Sequence, residues 1–178
     1  MLATKPLTPI HIKNSYAAET PVTDGERVYA YFGSHGLYCL DKTGKVLWKK
    51  MFKPYEMRNG WGTGASPILD GDQLIIVNDN MEDSWMASYD KRTGRQLWKT
   101  KRDEPSNWST PYVWEHDGIK ELILTGRNRT RSYDLSGKER WSLKWKTRTS
   151  IVIPTPFEAQ GLLYIASGYV GDREKHVY

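Results

Sequence analysis

Two landmarks recur along this chain at a nearly constant spacing, and that recurrence limits the available folds more than any other feature. Pro follows Ser or Thr at Thr20-Pro21, Ser66-Pro67, Thr110-Pro111 and Thr155-Pro156, at intervals of 46, 44 and 45 residues. A second landmark lies downstream of each of the first three. It reads Asp41-Lys42-Thr43-Gly44-Lys45-Val46-Leu47-Trp48, then Asp90-Lys91-Arg92-Thr93-Gly94-Arg95-Gln96-Leu97-Trp98, then Asp134-Leu135-Ser136-Gly137-Lys138-Glu139-Arg140-Trp141. The Trp-to-Trp intervals are 50 and 43 residues. Two landmarks in one order at a period of ~40–50 residues describe an array of similar units.

Each unit has the texture of β-structure. Residues 22–24, 27–32, 37–40 and 45–49 of the first repeat, and 67–69, 73–77, 86–89 and 95–99 of the second, are short segments rich in Val, Ile, Tyr, Trp and Leu. They are bounded by Gly, Asp or Asn, as strands are. Four short strands per unit predict one propeller blade. The expected fold class is therefore all-β, a partial β-propeller of three to four four-stranded blades. The expected boundaries are 1–19 for the end of a preceding blade or connection, 20–65, 66–109 and 110–154 for three repeats, and 155–178 for an incomplete fourth.

Local chemistry assigns roles within the repeat. Asp41, Asp90 and Asp134 can accept backbone N–H groups two residues on, and Gly44, Gly94 and Gly137 supply the positive φ of a bulged type I hairpin. Trp48, Trp98 and Trp141 then fall on the fourth strand, where a large flat ring fills the wedge between blades. The Pro suits the start of the innermost strand, a sheet edge that lacks a ladder bond to lose.

The Asp-x-x-Thr-Gly-Lys-x-x-Trp hairpin, together with the Ser/Thr-Pro strands, resembles the PQQ-like (pyrroloquinoline-quinone-like) β-propeller repeats. Such repeats occur in quinoprotein alcohol dehydrogenases, in a propeller of the outer-membrane assembly machinery, and in secreted bacterial proteins. The resemblance covers roughly residues 16–178. It implies seven or eight blades, whereas three repeats and part of a fourth are present, so a fragment or half of a split ring is expected. The missing blades would come from further sequence or from a second copy of the chain. The resemblance also implies export to the periplasm or cell surface, although no signal peptide is visible in the chain.

Composition narrows the class further. The 178 residues suit one domain. A single Cys rules out an internal disulfide framework, and Cys39 in Leu37-Tyr38-Cys39-Leu40 reads as a small buried apolar residue. No apolar run approaches the ~18–20 residues of a membrane helix. A net charge of +5 is modest, and Arg127-Asn128-Arg129-Thr130-Arg131 reads as the solvated face of a strand, so no nucleic-acid partner is expected.

Catalytic signatures are missing from the pattern. His11, His35, His116 and His176 are scattered, unlike the clustered ligands of a zinc site. Asn78-Asp79-Asn80-Met81-Glu82-Asp83 is the densest oxygen cluster, but it lacks the spacing and central Gly of a calcium loop and is expected to be a solvated connection. No catalytic residue, metal ligand or cofactor is therefore assigned. What stands out is an amide and an aromatic residue before each inner strand: Asn14 with Tyr16, Asn59 with Trp61, and Asn107 with Trp108. In a propeller these loops share a face with the connections between strands two and three, which contribute His35, Asn78, Asn80, Arg127 and Asn128. Aromatic platforms with amide and Arg donors suit a protein partner or a carbohydrate-like ligand at the channel mouth. The expected function is a non-catalytic binding scaffold. The alternative implied by the resemblance is a fragment of an oxidoreductase that uses pyrroloquinoline quinone and Ca²⁺.

Overall fold

A computed structural model describes residues 10–146, 151–169, 171–175 and 177–178. Its strands form three four-stranded antiparallel sheets and one two-stranded sheet, each meandering from the inside outward. The first sheet contains β1 (Val22–Thr23), β2 (Arg27–Tyr31), β3 (Leu37–Asp41) and β4 (Val46–Lys50). The second contains β5 (Ile68–Asp70), β6 (Gln73–Asn78), β7 (Trp85–Asp90) and β8 (Gln96–Lys101). The third contains β9 (Tyr112–His116), β10 (Ile119–Thr125), β11 (Arg129–Tyr133) and β12 (Glu139–Lys144). The fourth holds β13 (Phe157–Ala159) and β14 (Leu162–Tyr164), followed by a single antiparallel bridge between Ala166 and Val177. The molecule is a partial β-propeller.

The hairpin between the third and fourth strands of each full blade is built by its aspartate. Asp41 Oδ1 accepts from the backbone N–H groups of Thr43 (2.8 Å) and Lys45 (3.0 Å), and from the Thr43 hydroxyl. Asp90 accepts from the N–H groups of Arg92 and Thr93, and Asp134 from those of Ser136 and Lys138. These donors hold all three carboxyls below the usual carboxylate range, led in each case by the Thr or Ser hydroxyl. Gly44, Gly94 and Gly137 follow at φ of 85°, 69° and 84°. A bulge displaces the register at Cys39/Leu40, Ser88/Tyr89 and Ser132/Tyr133, giving the extra twist that such a hairpin needs.

The second and third hairpins also receive the tryptophan of the blade before them. Trp48 donates from Nε1 to the Lys91 carbonyl at 3.1 Å, and its ring covers Gly94, where an added Cβ would lie 2.8 Å from it. Trp98 donates to the Leu135 carbonyl at 2.8 Å and covers Gly137 in the same way. A Cβ is absent from both glycines for two reasons at once, the left-handed backbone and the close ring. At Gly44 the space above the hairpin is open. Trp141 donates within its own blade, to Glu121.

The core lies between blades. Tyr29, Tyr31, Leu37 and Cys39 of the first meet Leu74, Ile76, Trp85, Ala87 and Tyr89 of the second. Ile75, Val77 and Met86 on the other face of the second meet Leu122, Leu124 and Tyr133 of the third. The period-2 alternation of β6 thus faces two neighbours, which is why Leu74, Ile75 and Ile76 are all fully buried. Cys39 is a buried free thiol, raised by burial.

Near the axis, the hydroxyls before Pro67 and Pro111 reach into the preceding blade. Thr20 N–H donates to Ser66 Oγ (2.9 Å), and Ser66 N–H donates to Thr110 Oγ1 (3.0 Å). The Ser/Thr of the Ser/Thr-Pro landmark is a joint between blades.

Candidate functional site

The loops entering the inner strands and the loops between second and third strands lie together at one end of the blades. Three contacts bring them into register there. Asn14 Nδ2 donates to the Trp61 carbonyl at 2.5 Å and to that of Thr63, tying the segment before β1 to the loop before β5. Trp108 Nε1 donates to the Gly62 carbonyl at 2.8 Å, tying the loop before β9 to the same place. Trp108 N–H donates to the Val152 carbonyl, extending the link to the segment before β13. Gly62 and Gly64 are forced by this crowding: an added Cβ would lie 2.8 Å from Asn14 Nδ2 and 3.1 Å from the Trp108 ring, respectively.

The result is an open cleft of 640 Å³ lined by Trp61, Trp108 and Tyr169, with Ile151 and Ile153 on one wall and His11, Lys13 and Asn14 on another. The Trp61 ring centroid is 5.8 Å from that of Trp108 and 6.4 Å from that of Tyr169, with interplanar angles of 49° and 39°. The three rings form a bowl with no flat shelf. The Arg58 guanidinium lies 6.0 Å from the Trp61 ring.

Near the cleft are buried charges, two of the carboxylates held in matched pairs. Arg102 donates from Nε to Asp79 Oδ1 (2.7 Å) and from Nη2 to Oδ2 (3.0 Å), with both side chains fully buried. Its Nη1 donates to the Tyr133 hydroxyl. Burial alone would lower the Arg102 pKa, but Asp79 outweighs it and raises the value further. Arg131 donates to Glu104 at 2.5 Å and also engages Asp103. Burial pushes the Glu104 carboxyl up, against the pull of Arg102 and Arg131. Burial likewise raises Glu19, against a hydrogen bond from the Thr63 hydroxyl.

The structure divides the eleven candidate residues among several places. Asn14, Trp61 and Trp108 line the cleft. Tyr16 and His35 line a separate 40 Å³ pocket, where His35 is buried at the end of a 3-10 turn and its Nε2 has no hydrogen-bond partner among the described residues. Asn78 and Asn80 border a third hollow of 260 Å³ with Lys53 and Lys99. Asn80 organises its own loop, accepting from the N–H groups of Glu82 and Asp83. Asn107 is buried and donates to the Thr125 carbonyl at 2.6 Å. Asn59 is exposed in a left-handed turn (φ 53°). Arg127 and Asn128 lie apart from the cleft, and Asn128 N–H donates to Glu104.

Two expectations are corrected. The 78–83 segment is not a solvated loop, because Asn78, Asp79 and Asn80 are buried and Asp79 is committed to Arg102. The 127–131 segment is not a purely solvated face, because Arg131 is buried against Glu104. Residues missed in the sequence are Tyr169, Ile151 and Ile153 of the cleft. His176 lies outside the described residues.

The sequence profile of the family described as outer membrane protein assembly factor BamB matches residues 5–118. BamB from Moraxella catarrhalis superposes with a TM-score of 0.61 at 18% identity, covering 80% of this chain and 44% of that one. A europium-containing methanol dehydrogenase gives 0.57 at 12% identity, covering 70% and 31%. The quinohemoprotein alcohol dehydrogenase from Comamonas testosteroni gives 0.53 at 14% identity, covering 83% and 31%. The chain thus spans less than half the length of each. No curated protein sequence matches it.

Proposed function

The chain belongs to the family described as outer membrane protein assembly factor BamB, and on that premise we propose that it is a non-catalytic propeller scaffold that engages a partner protein through its loop face. The family description supports a cell-envelope setting, periplasmic or at the cell surface. Among the described residues, no helix is long and apolar enough to cross a membrane.

One observation carries the reading: two buried carboxylates of the loop face, Asp79 and Glu104, are already consumed by cations. Asp79 is held in a two-point pair by Arg102, and Glu104 by Arg131. A charge-paired carboxylate in a dry site is a structural element, and freeing it for other work leaves a buried cation behind. The alternative, an oxidoreductase fragment using pyrroloquinoline quinone and Ca²⁺, needs free hard oxygen ligands gathered around the ion. Among the described residues, no three His, Cys, Asp or Glu stand together so as to hold a metal. The aromatic cleft, by contrast, is of a size and character suited to recognition.

The test is titration of tryptophan fluorescence with the quinone and Ca²⁺, with a dye-linked alcohol-oxidation assay run in parallel. The expected result is no saturable quenching at micromolar ligand and no turnover. Saturable quenching together with alcohol-dependent dye reduction would overturn the scaffold reading.

A further inference from the structure

We propose that the bowl formed by Trp61, Trp108 and Tyr169 takes an acidic, extended segment of a partner protein, inserting an aromatic or large aliphatic side chain among the rings. The proposal rests on the reading of the loop face as a partner-binding surface and specifies the chemistry of the contact.

Three observations choose this occupant. The first is shape. Ring planes inclined at 49° and 39° enclose a side chain inserted end-on, whereas a sugar ring needs one flat face to lie on. The second is the wall. Ile153 is 56% exposed although it lines the cleft, and it extends the apolar surface beyond the rings. An inserted hydrocarbon side chain gains from that wall, whereas sugar hydroxyls do not. The third is charge. The cationic side chain in the lining is Lys13, with the Arg58 guanidinium beside Trp61, and among the described residues no acidic side chain lines the cleft. The chain as a whole carries +5. Carboxylates flanking the inserted side chain would therefore meet complementary potential, which steers approach and orientation.

The remaining polar points suit a peptide. The Trp61 indole N–H and the Tyr169 hydroxyl make no hydrogen bond among the described residues. They are available to the backbone carbonyls of an extended segment. A cleft of 640 Å³ has room for roughly three or four residues.

The experiment uses the chain itself and three end-blocked pentapeptides, Asp-Phe-Asp-Leu-Asp, Lys-Phe-Lys-Leu-Lys and Asp-Gly-Asp-Gly-Asp. Binding is followed by tryptophan fluorescence and calorimetry. The first peptide should bind saturably and at least about tenfold more tightly than either other. Its affinity should fall about three- to tenfold as salt rises from about 50 to about 300 mM. Lys13→Glu, at an exposed position, should weaken it about three- to tenfold, and Trp61→Ala by at least about tenfold. Circular dichroism of both variants separates lost binding from lost fold.

Equal binding of the lysine peptide would overturn the proposal. So would unchanged binding in both folded variants, no saturation at millimolar peptide, or tighter binding of digalacturonate than of the acidic peptide. Quinone-supported alcohol oxidation would strike the scaffold reading itself. Failure of the peptide with no quinone binding removes only this occupant.

Discussion

Gly44 and Gly137 make a matched pair for measuring what a docked tryptophan contributes. Both sit in the same hairpin position at nearly the same φ, 85° and 84°. An Ala at either one incurs the left-handed strain of a Cβ, about 1–2 kcal/mol. Beyond that the sites differ. A Cβ at Gly44 meets nothing within 4 Å, whereas at Gly137 it lies 2.6 Å from the Trp98 ring and 2.7 Å from Thr100 Oγ1. The ring must move, which strains the joint by about 1–3 kcal/mol in the manner of an overpacked core. Displacement also threatens the 2.8 Å bond from Trp98 Nε1 to the Leu135 carbonyl, worth about 0.5–1.5 kcal/mol. Gly44→Ala should therefore cost about 1–2 kcal/mol and Gly137→Ala about 2.5–6.5 kcal/mol. Urea unfolding followed by circular dichroism and by tryptophan fluorescence measures both. The Gly137 variant should also show a perturbed emission spectrum before unfolding, and the Gly44 variant should not. Equal costs with unchanged spectra would refute the claim that the hairpin glycine exists to receive the ring.

Two further outcomes are expected. Arg102→Met should destabilise by about 3–5 kcal/mol because it strands the fully buried Asp79 carboxylate, and adding Asp79→Leu should recover most of the loss; thermal melts of the single and double variants check this. The pH dependence has two signs. The Asp24 carboxyl is held at about 2: its burial is outweighed by the N–H groups of Arg27 and Glu26, the Tyr29 hydroxyl and Lys91. Its contribution is complete above the unfolded value of about 3.9 and disappears as pH falls toward 2. The raised carboxyls of Glu19 and Glu104 act oppositely, so their share of stability falls as pH rises from about 4.3 through their folded values. Chemical unfolding between pH 2 and 8 should show a steep acid loss and a shallower decline on the alkaline side of an acidic optimum. A profile that rises monotonically to pH 8 would contradict the burial of the two glutamates.

What was legible in the sequence was whatever is local. Asp41 to Gly44 closes its hairpin with bonds spanning two to four residues, so residue type and spacing specify it. The tryptophans announced themselves by recurrence. The hydroxyls of Ser66 and Thr110 recurred just as clearly, yet their purpose depended on partners 46 and 44 residues away in the neighbouring blade. The Asn78–Asp83 run illustrates the same gap. Its polarity suggested water, but Arg102 of a different loop neutralises Asp79, so the segment sits in the interior. The aromatic residues before the inner strands did point toward the cleft through Trp61 and Trp108. Their amides point elsewhere, because Asn14 and Asn107 spend their N–H groups on backbone carbonyls. Tyr169 was missed because it follows β14, beyond the last copy of the Asp-to-Trp hairpin pattern in the sequence.

The tryptophan joint has a direction. The first two blades each extend an indole forward, the second and third each offer a carbonyl and a glycine behind, and the two joints use the same pair of atoms. Such an interface has one plug and one socket, and it works regardless of which blade supplies either. A gene encoding it can therefore lengthen by copying a unit between two others, since the newcomer carries both fittings already. The repeated grammar of the joint leaves the loops free to differ, so that the part of the molecule that meets other molecules can change while the part that counts the blades stays constant.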